Sequence, residues 1–108
     1  MAGVQPWKPA DATIEIRRLA STEIRITYTE HSRDRMTERD LLVSDVLHVL
    51  KHGVVYGDAE PSTKAGYYKY RIEARTPNSG NREVGVVVIP DPVGSHIKIV
   101  TVMWIDGT

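Results

Sequence analysis

Apolar residues recur with a helical period in the first half of the chain and with a period of two in the second. Ala12, Ile16, Leu19 and Ala20 fall at i, i+4, i+7 and i+8, one face of a helix, and Asp11 stands ahead of them as an N-cap. Ile14 and Ile16 also alternate in the manner of a strand, but the longer pattern favours a helix over 11–20. From Glu23 to Thr29 the alternation is clean, with Ile24, Ile26 and Tyr28 set against Arg25, Thr27 and Thr29, and predicts a half-buried strand. Residues 30–40 are charge-dense, with Met36 the one clear apolar anchor, and predict a short, mostly exposed helix. Val43, Val46, Leu47 and Leu50 then follow i, i+3, i+4, i+7, and Gly53 stands where a helix usually ends in the left-handed conformation.

Beyond Gly53 the rhythm is that of strands. We expect a brief strand over 54–56, a loop over 57–66, and strands over 67–75, 82–89 and 97–105, joined by turns at 77–81 and 90–94. Val86 to Ile89 is apolar on both faces, which suits a central strand covered on both sides. In the last strand alternation puts Lys98, Val100, Val102 and Trp104 on one face and Ile97, Ile99, Thr101, Met103 and Ile105 on the other. Short connections imply antiparallel neighbours. The expected fold is α+β: two or three N-terminal helices packed on a four-stranded, mostly antiparallel sheet, in two layers. Residues 1–10, with Pro6 and Pro9 around Trp7, read as an irregular arm, and 11–108 as a single domain.

Composition sharpens this picture. Val and Ile number 22 together against 5 Leu, and branching at Cβ favours extended backbone. Fourteen Lys+Arg balance fourteen Asp+Glu, so the net charge is zero, which excludes attachment to nucleic acid or anionic membrane by bulk positive charge. The chain has no cysteine, which excludes disulfides, zinc–thiolate sites and thiol nucleophiles together. No apolar run reaches the ~18–20 residues of a membrane span, and the first residues lack the order of a signal peptide. These features lead us to expect a soluble, cytoplasmic protein without membrane contact. No phosphate loop, dinucleotide fingerprint, GxSxG or HExxH occurs. His48 and His52 have a spacing that can hold zinc, but no third ligand is near in sequence, so neither metal nor cofactor is expected.

Two groups of residues carry candidate chemistry. On a helix over 30–40, His31, Arg35 and Arg39 form one stripe at i, i+4, i+8. Two arginines four apart repel one another unless an anion such as a phosphodiester bridges them. An imidazole beside guanidinium groups is equipment for acid–base work on a phosphate. The plainer reading is a solvated face with Arg35 paired to Glu38 or Glu30. On the strand over 67–75, alternation puts Tyr68, Tyr70, Ile72 and Ala74 on one face and Lys69, Arg71, Glu73 and Arg75 on the other with Tyr67. The second face is a local basic strip, and a nearby tyrosine can stack on a base. Its plainer reading is an exposed face whose cations pair with Glu73 and Glu83. Thr101 is the one hydroxyl amid apolar neighbours in the last strand.

The run His31-Ser32-Arg33-Asp34-Arg35-Met36-Thr37-Glu38-Arg39 and the later Asp45-Val46-Leu47-His48-Val49-Leu50-Lys51-His52-Gly53 resemble the signature of the bacterial domain of unknown function family 4258, H-x-x-x-R-M-x-x-R followed by D-V-L-x-V-L-x-x-G. Tyr70-Arg71-Ile72-Glu73, Val86-Val87-Val88 and Ile99 to Trp104 extend the resemblance, which runs from about Ile14 to Trp104. Leu42 departs from the small N-cap that such sequences place before the second helix, so the cap is expected from Asp40 or Ser44. Ala74 stands where a glycine commonly follows Glu73. The layout is similar to that of RelE/barnase-like ribonuclease toxins. That likeness implies metal-independent cleavage of RNA by a 2′-hydroxyl attacking the adjacent phosphate. His31 would then be general base or acid, Arg35 with Lys69 or Arg71 would stabilise the phosphorane, and Thr101 would position the phosphate. Arg39, Tyr70 and Arg75 would bind substrate, and RNA and a cognate antitoxin protein are the implied partners. The alternative is a non-catalytic domain that binds a protein partner, or RNA without cutting it, with His31 and Arg35 pinning their helix to the sheet.

Overall fold

Pro9 opens the first helix, where its missing N–H goes unneeded, in a computed structural model that describes residues 4–105. Residues 1–3 of the expected arm and 106–108 of the expected domain lie outside the described residues. The helix, α1, spans Pro9–Ala20 and buries Ala12, Ile16, Leu19 and Ala20, the stripe the sequence predicts. Its N-cap is Lys8, without a side-chain bond, and Asp11 sits in the first turn rather than at the cap. Strand β1 (Arg25–Tyr28) leads directly into α2 (Glu30–Glu38), where the Thr29 hydroxyl accepts from Ser32 N at 3.0 Å. Helix α3 (Val43–His52) buries Val46, Val49 and Leu50.

The sheet holds six strands rather than four. Besides β1 it contains β2 (Val54–Val55), β3 (Glu60–Pro61), β4 (Tyr68–Arg75), β5 (Glu83–Asp91) and β6 (His96–Trp104). Their order is β1-β6-β5-β4-β2, and β3 pairs with the first residues of β4. Strand β3 lies inside the expected loop; two residues carry too little period to announce a strand. Strands β4, β5 and β6 form an antiparallel meander, joined by a 3-10 turn over Pro77–Ser79 and by the turn after Asp91. Strand β1 runs parallel to β6: the chain returns from α3 into β2 in the sense opposite to β1, and the three reversals β2–β4, β4–β5 and β5–β6 bring β6 back into the sense of β1.

The helices cover one face of this sheet. Val84, Val86 and Val88 are fully buried beneath them, whereas Val87 and Ile89 on the opposite face are half-buried, so the expected two-sided cover of β5 is not realised. A β-bulge between β5 and β6 alters the predicted faces of the last strand. Val87 pairs with Thr101 and Val88 with Ile99, which leaves Val100 as the extra residue. Ile97, Ile99 and Val102 are therefore all buried in the core, and Thr101 and Met103 pass to the uncovered face with Lys98. The one-residue insertion reverses the alternation at its midpoint.

Two contacts seal the core at its margins. Trp7 stacks on Tyr70 with ring centroids 5.5 Å apart, and Trp7 N donates to the Tyr70 hydroxyl at 2.9 Å. At the β2 edge, Val55 N donates to Thr13 Oγ1 at 2.8 Å and Arg17 Nε to Gly53 O at 2.8 Å, so α1 closes that edge. Gly53 ends α3 with φ −78° and ψ 176°, extended rather than left-handed. Glycine is needed there for space: a Cβ would stand 2.5 Å from Val49 O and 2.9 Å from Glu73 O.

Candidate nucleic-acid interface

Strand β1 ends opposite Ile99, and α2 takes over its place beside the free edge of β6. Thr29 Oγ1 donates to Val100 O at 3.0 Å, and Arg39 Nη1 donates to Val102 O at 3.2 Å. These bonds satisfy carbonyls that β1 is too short to reach. Ser32 and Met36 are buried toward the sheet. Arg33 and Thr37 fall on one flank of α2 and line a cleft of about 510 Å³ with Tyr28, Leu41, Leu42 and Val43, on the helical side of the sheet. Helical geometry puts the His31, Arg35 and Arg39 stripe on the other flank, toward the uncovered face. Arg39 borders a cleft with Arg82, Met103 and Trp104 at the margin of the sheet, where β6 ends.

His31 is exposed, and no hydrogen bond or ion pair ties its imidazole to another of the described residues. Arg35 pairs with Glu38 one turn on, the plainer of its two sequence readings; both groups are partly open to solvent, where such a pair holds weakly. Arg39 is engaged by a main-chain oxygen, which makes it a strut for α2.

Across the sheet, Lys69 and Arg71 line a cleft of about 370 Å³ with Val87 and Met103, beneath Gly57, Asp58 and Glu60. Arg71 Nε donates to Glu73 at 2.9 Å, as the plainer reading of this strip expects. Thr101, Val87 and Arg71 form one register row on the uncovered face. Lys69 and Arg71 do not share a hollow with His31: β4 is two strand spacings, about 10 Å, beyond β6, and α2 lies on the far side of β6. The uncovered face thus carries two cationic margins with Thr101 and Met103 between them.

Two residues expected to bind substrate fall elsewhere. Tyr70 is 1% exposed on the helical side, where burial raises the pKa of its hydroxyl, and no base can reach its ring. Arg75 donates to Asn81 O at 2.7 Å and staples the β4–β5 turn. His48 and His52 pack ring against ring at 4.8 Å, and among the described residues no three His, Cys, Asp or Glu side chains gather as metal ligands.

Asp45 has a role that spacing alone does not disclose. Its Oδ2 accepts from Leu42 N at 2.9 Å and so supplies the cap of α3 that was expected from Asp40 or Ser44. Its Oδ1 accepts from the buried Thr76 hydroxyl at 2.7 Å. A further cluster, Arg25, Lys64, His96 and Lys98, also escapes the sequence, since its members come from three separated segments. Alternation puts His96 and Lys98 on one face, but no pattern links them to Lys64.

No helix among the described residues is long and apolar enough to cross a membrane. No curated protein and no solved structure matches the chain. The family description "Domain of unknown function (DUF4258)" does match, over residues 28–104, from the end of β1 to the end of β6 and without α1. That span holds both motifs, the α2 stripe and the whole β4–β6 meander, and this chain belongs to that family.

Proposed function

We propose that this domain is a metal-independent ribonuclease of the toxin–antitoxin type, which binds single-stranded RNA along the uncovered sheet face and cuts it beside His31. One observation carries the reading. Met36 and the Val46–Leu50 stripe fill the core, Arg39 anchors α2, Asp45 caps α3 and Gly53 admits close packing, whereas His31 is exposed and Arg35, partly exposed, pairs with Glu38 at the rim of that face. The resemblance in sequence layout to RelE/barnase-like toxins adds support by analogy alone.

The chemistry follows from the groups available. The imidazole of His31 takes the proton of the 2′-hydroxyl, whose oxygen attacks the adjacent phosphorus. The P–O5′ bond breaks, the 5′-oxygen takes a proton from water, His31 returns its proton to solvent, and the products are a 2′,3′-cyclic phosphate and a 5′-hydroxyl. The nucleophile is supplied by the substrate, so the route calls for no metal-bound water. Arg35 turns from Glu38 to the phosphorane, where a guanidinium offers two parallel donors. Thr101, Lys69 and Arg71 hold the strand further across the face, at neighbouring phosphates rather than at the scissile one.

A second reading is favoured by a separate feature. Leu42 and Val43 are about half exposed beside the cleft formed with Tyr28, Met36 and Leu41, an apolar surface suited to a protein partner. Such a partner would be an antitoxin on the first reading and the main ligand on the second.

Incubation of the purified protein with single-stranded RNA separates them. The ribonuclease reading expects cleavage that is unchanged by EDTA and leaves 2′,3′-cyclic phosphate ends. Cleavage abolished by EDTA contradicts the metal-free route. RNA intact in every condition contradicts the enzyme and leaves the docking reading.

A further inference from the structure

Four basic side chains from three separated segments meet where the turn between β3 and β4 overhangs the first residues of β6. Lys64, His96 and Lys98 line a cleft of about 200 Å³ on the uncovered face, with Thr63, Tyr67 and Asp91 among its other walls. Arg25 joins them from β1 as the register partner of His96. Among the described residues no carboxylate pairs with Arg25, Lys64 or Lys98. Asp91 is the one acid in the cleft, and its Oδ1 accepts the Gly94 N–H at 3.1 Å. His96 Nε2 lies 2.8 Å from Thr27 Oγ1, a bond that fixes the ring against β1.

This grouping runs against the electrostatics of the whole chain, whose charges sum to zero. Like charges gathered within a Debye length, about 8–10 Å, repel unless an anion joins them. Two ammonium groups offer charged donors, and the Thr63 and Tyr67 hydroxyls add neutral ones, a set suited to an oxyanion with several acceptor oxygens. Burial, then Arg25, hold the His96 imidazole below its usual pKa, with Lys98 adding to this and Asp91 opposing it. An anion seated among these groups reverses that balance.

We propose that this cleft is a phosphate site; on the ribonuclease reading, on which this assignment rests, it holds a backbone phosphate of the bound strand several nucleotides from the one cut beside His31. Ile89 pairs with Lys98, and Lys69 follows on β4 on the same face, so cations continue from the cleft toward Arg71 and Thr101.

The test uses the intact protein and two probes. Inorganic phosphate, added at constant ionic strength, should raise the His96 pKa seen by NMR, and Lys64→Gln/Lys98→Gln should abolish this response. An oligodeoxyribonucleotide, which lacks the 2′-hydroxyl and cannot be cut, should bind with a log–log salt slope that falls by about 0.7 per lysine removed. A His96 response to phosphate with an unchanged oligonucleotide slope overturns the strand assignment and leaves a site for free phosphate or a phosphomonoester. No response to either probe overturns the site altogether. RNA cleavage is scored separately. RNA cut equally well by wild type and double variant, with no His96 response to phosphate in the wild type, removes this site and leaves the ribonuclease. Uncut RNA with a His96 response and a lysine-dependent slope removes the ribonuclease and leaves the site.

Discussion

Asp45 joins two elements through one carboxylate. Its two oxygens serve Leu42 N and the Thr76 hydroxyl, and the residue is 2% exposed, so neither bond is exchanged freely for water. Removing the acceptor leaves a buried hydroxyl and a helix-entry N–H without partners, a loss of about 1–3 kcal/mol for each group so orphaned. Asp45→Ala should therefore lower the unfolding free energy by at least about 1 kcal/mol in urea denaturation. An unchanged midpoint and slope would show that the cap is dispensable. His31 has the opposite profile: it is exposed, and nothing among the described residues holds it.

At the scale of elements, the end of α3 is fixed by close approach rather than by helix-ending conformation. A methyl at position 53 meets two main-chain oxygens, Val49 O and Glu73 O, which cannot turn aside as a side chain can. Gly53→Ala should destabilise the domain by about 1–3 kcal/mol, the range of core overpacking, with a matching fall in the thermal midpoint. A left-handed cap would instead have predicted a cost from φ alone, and the extended φ removes that explanation. The helices and long strands were legible in the sequence because their signals are local: Ala12 to Ala20, Val43 to Leu50 and the alternation of Tyr68 to Ala74 each need only neighbours. The parallel pairing of β1 with β6 was not, because nothing local distinguishes an edge strand that returns beside the last one. The bulge at Val100 was hidden for a similar reason, since a single inserted residue leaves composition unchanged while moving Thr101 to the uncovered face. Of the candidate site, the α2 stripe was readable from its period and the β4 strip from its alternation. Their separation across β5 and β6 was not readable, and neither was the union of Lys64 with His96 and Lys98, which only the tertiary fold creates.

Over the whole molecule, zero net charge conceals an uneven distribution. Several acids are tied up locally: Glu15 with Arg18, Glu38 with Arg35, Glu73 with Arg71, and Asp45 in its two hydrogen bonds. Helices cover one face of the sheet, and the other carries Lys69 on β4 and His96, Lys98 and Thr101 on β6, with Asp58, Glu60 and Asp91 in the same clefts. A polyanion is attracted by such a local field even where the total charge offers no pull, and the attraction is salt-sensitive. On the ribonuclease reading proposed above, the exposed imidazole at the rim of this face performs chemistry rather than supporting the fold. The most direct measurement compares wild type with His31→Ala for both thermal midpoint and RNA cleavage rate, in EDTA. On that reading His31→Ala should leave the midpoint unchanged and lower the rate at least about 10²-fold, the usual contribution of a positioned acid–base group. An unchanged rate in the folded variant, or a collapsed midpoint that accounts for the lost activity, would contradict it.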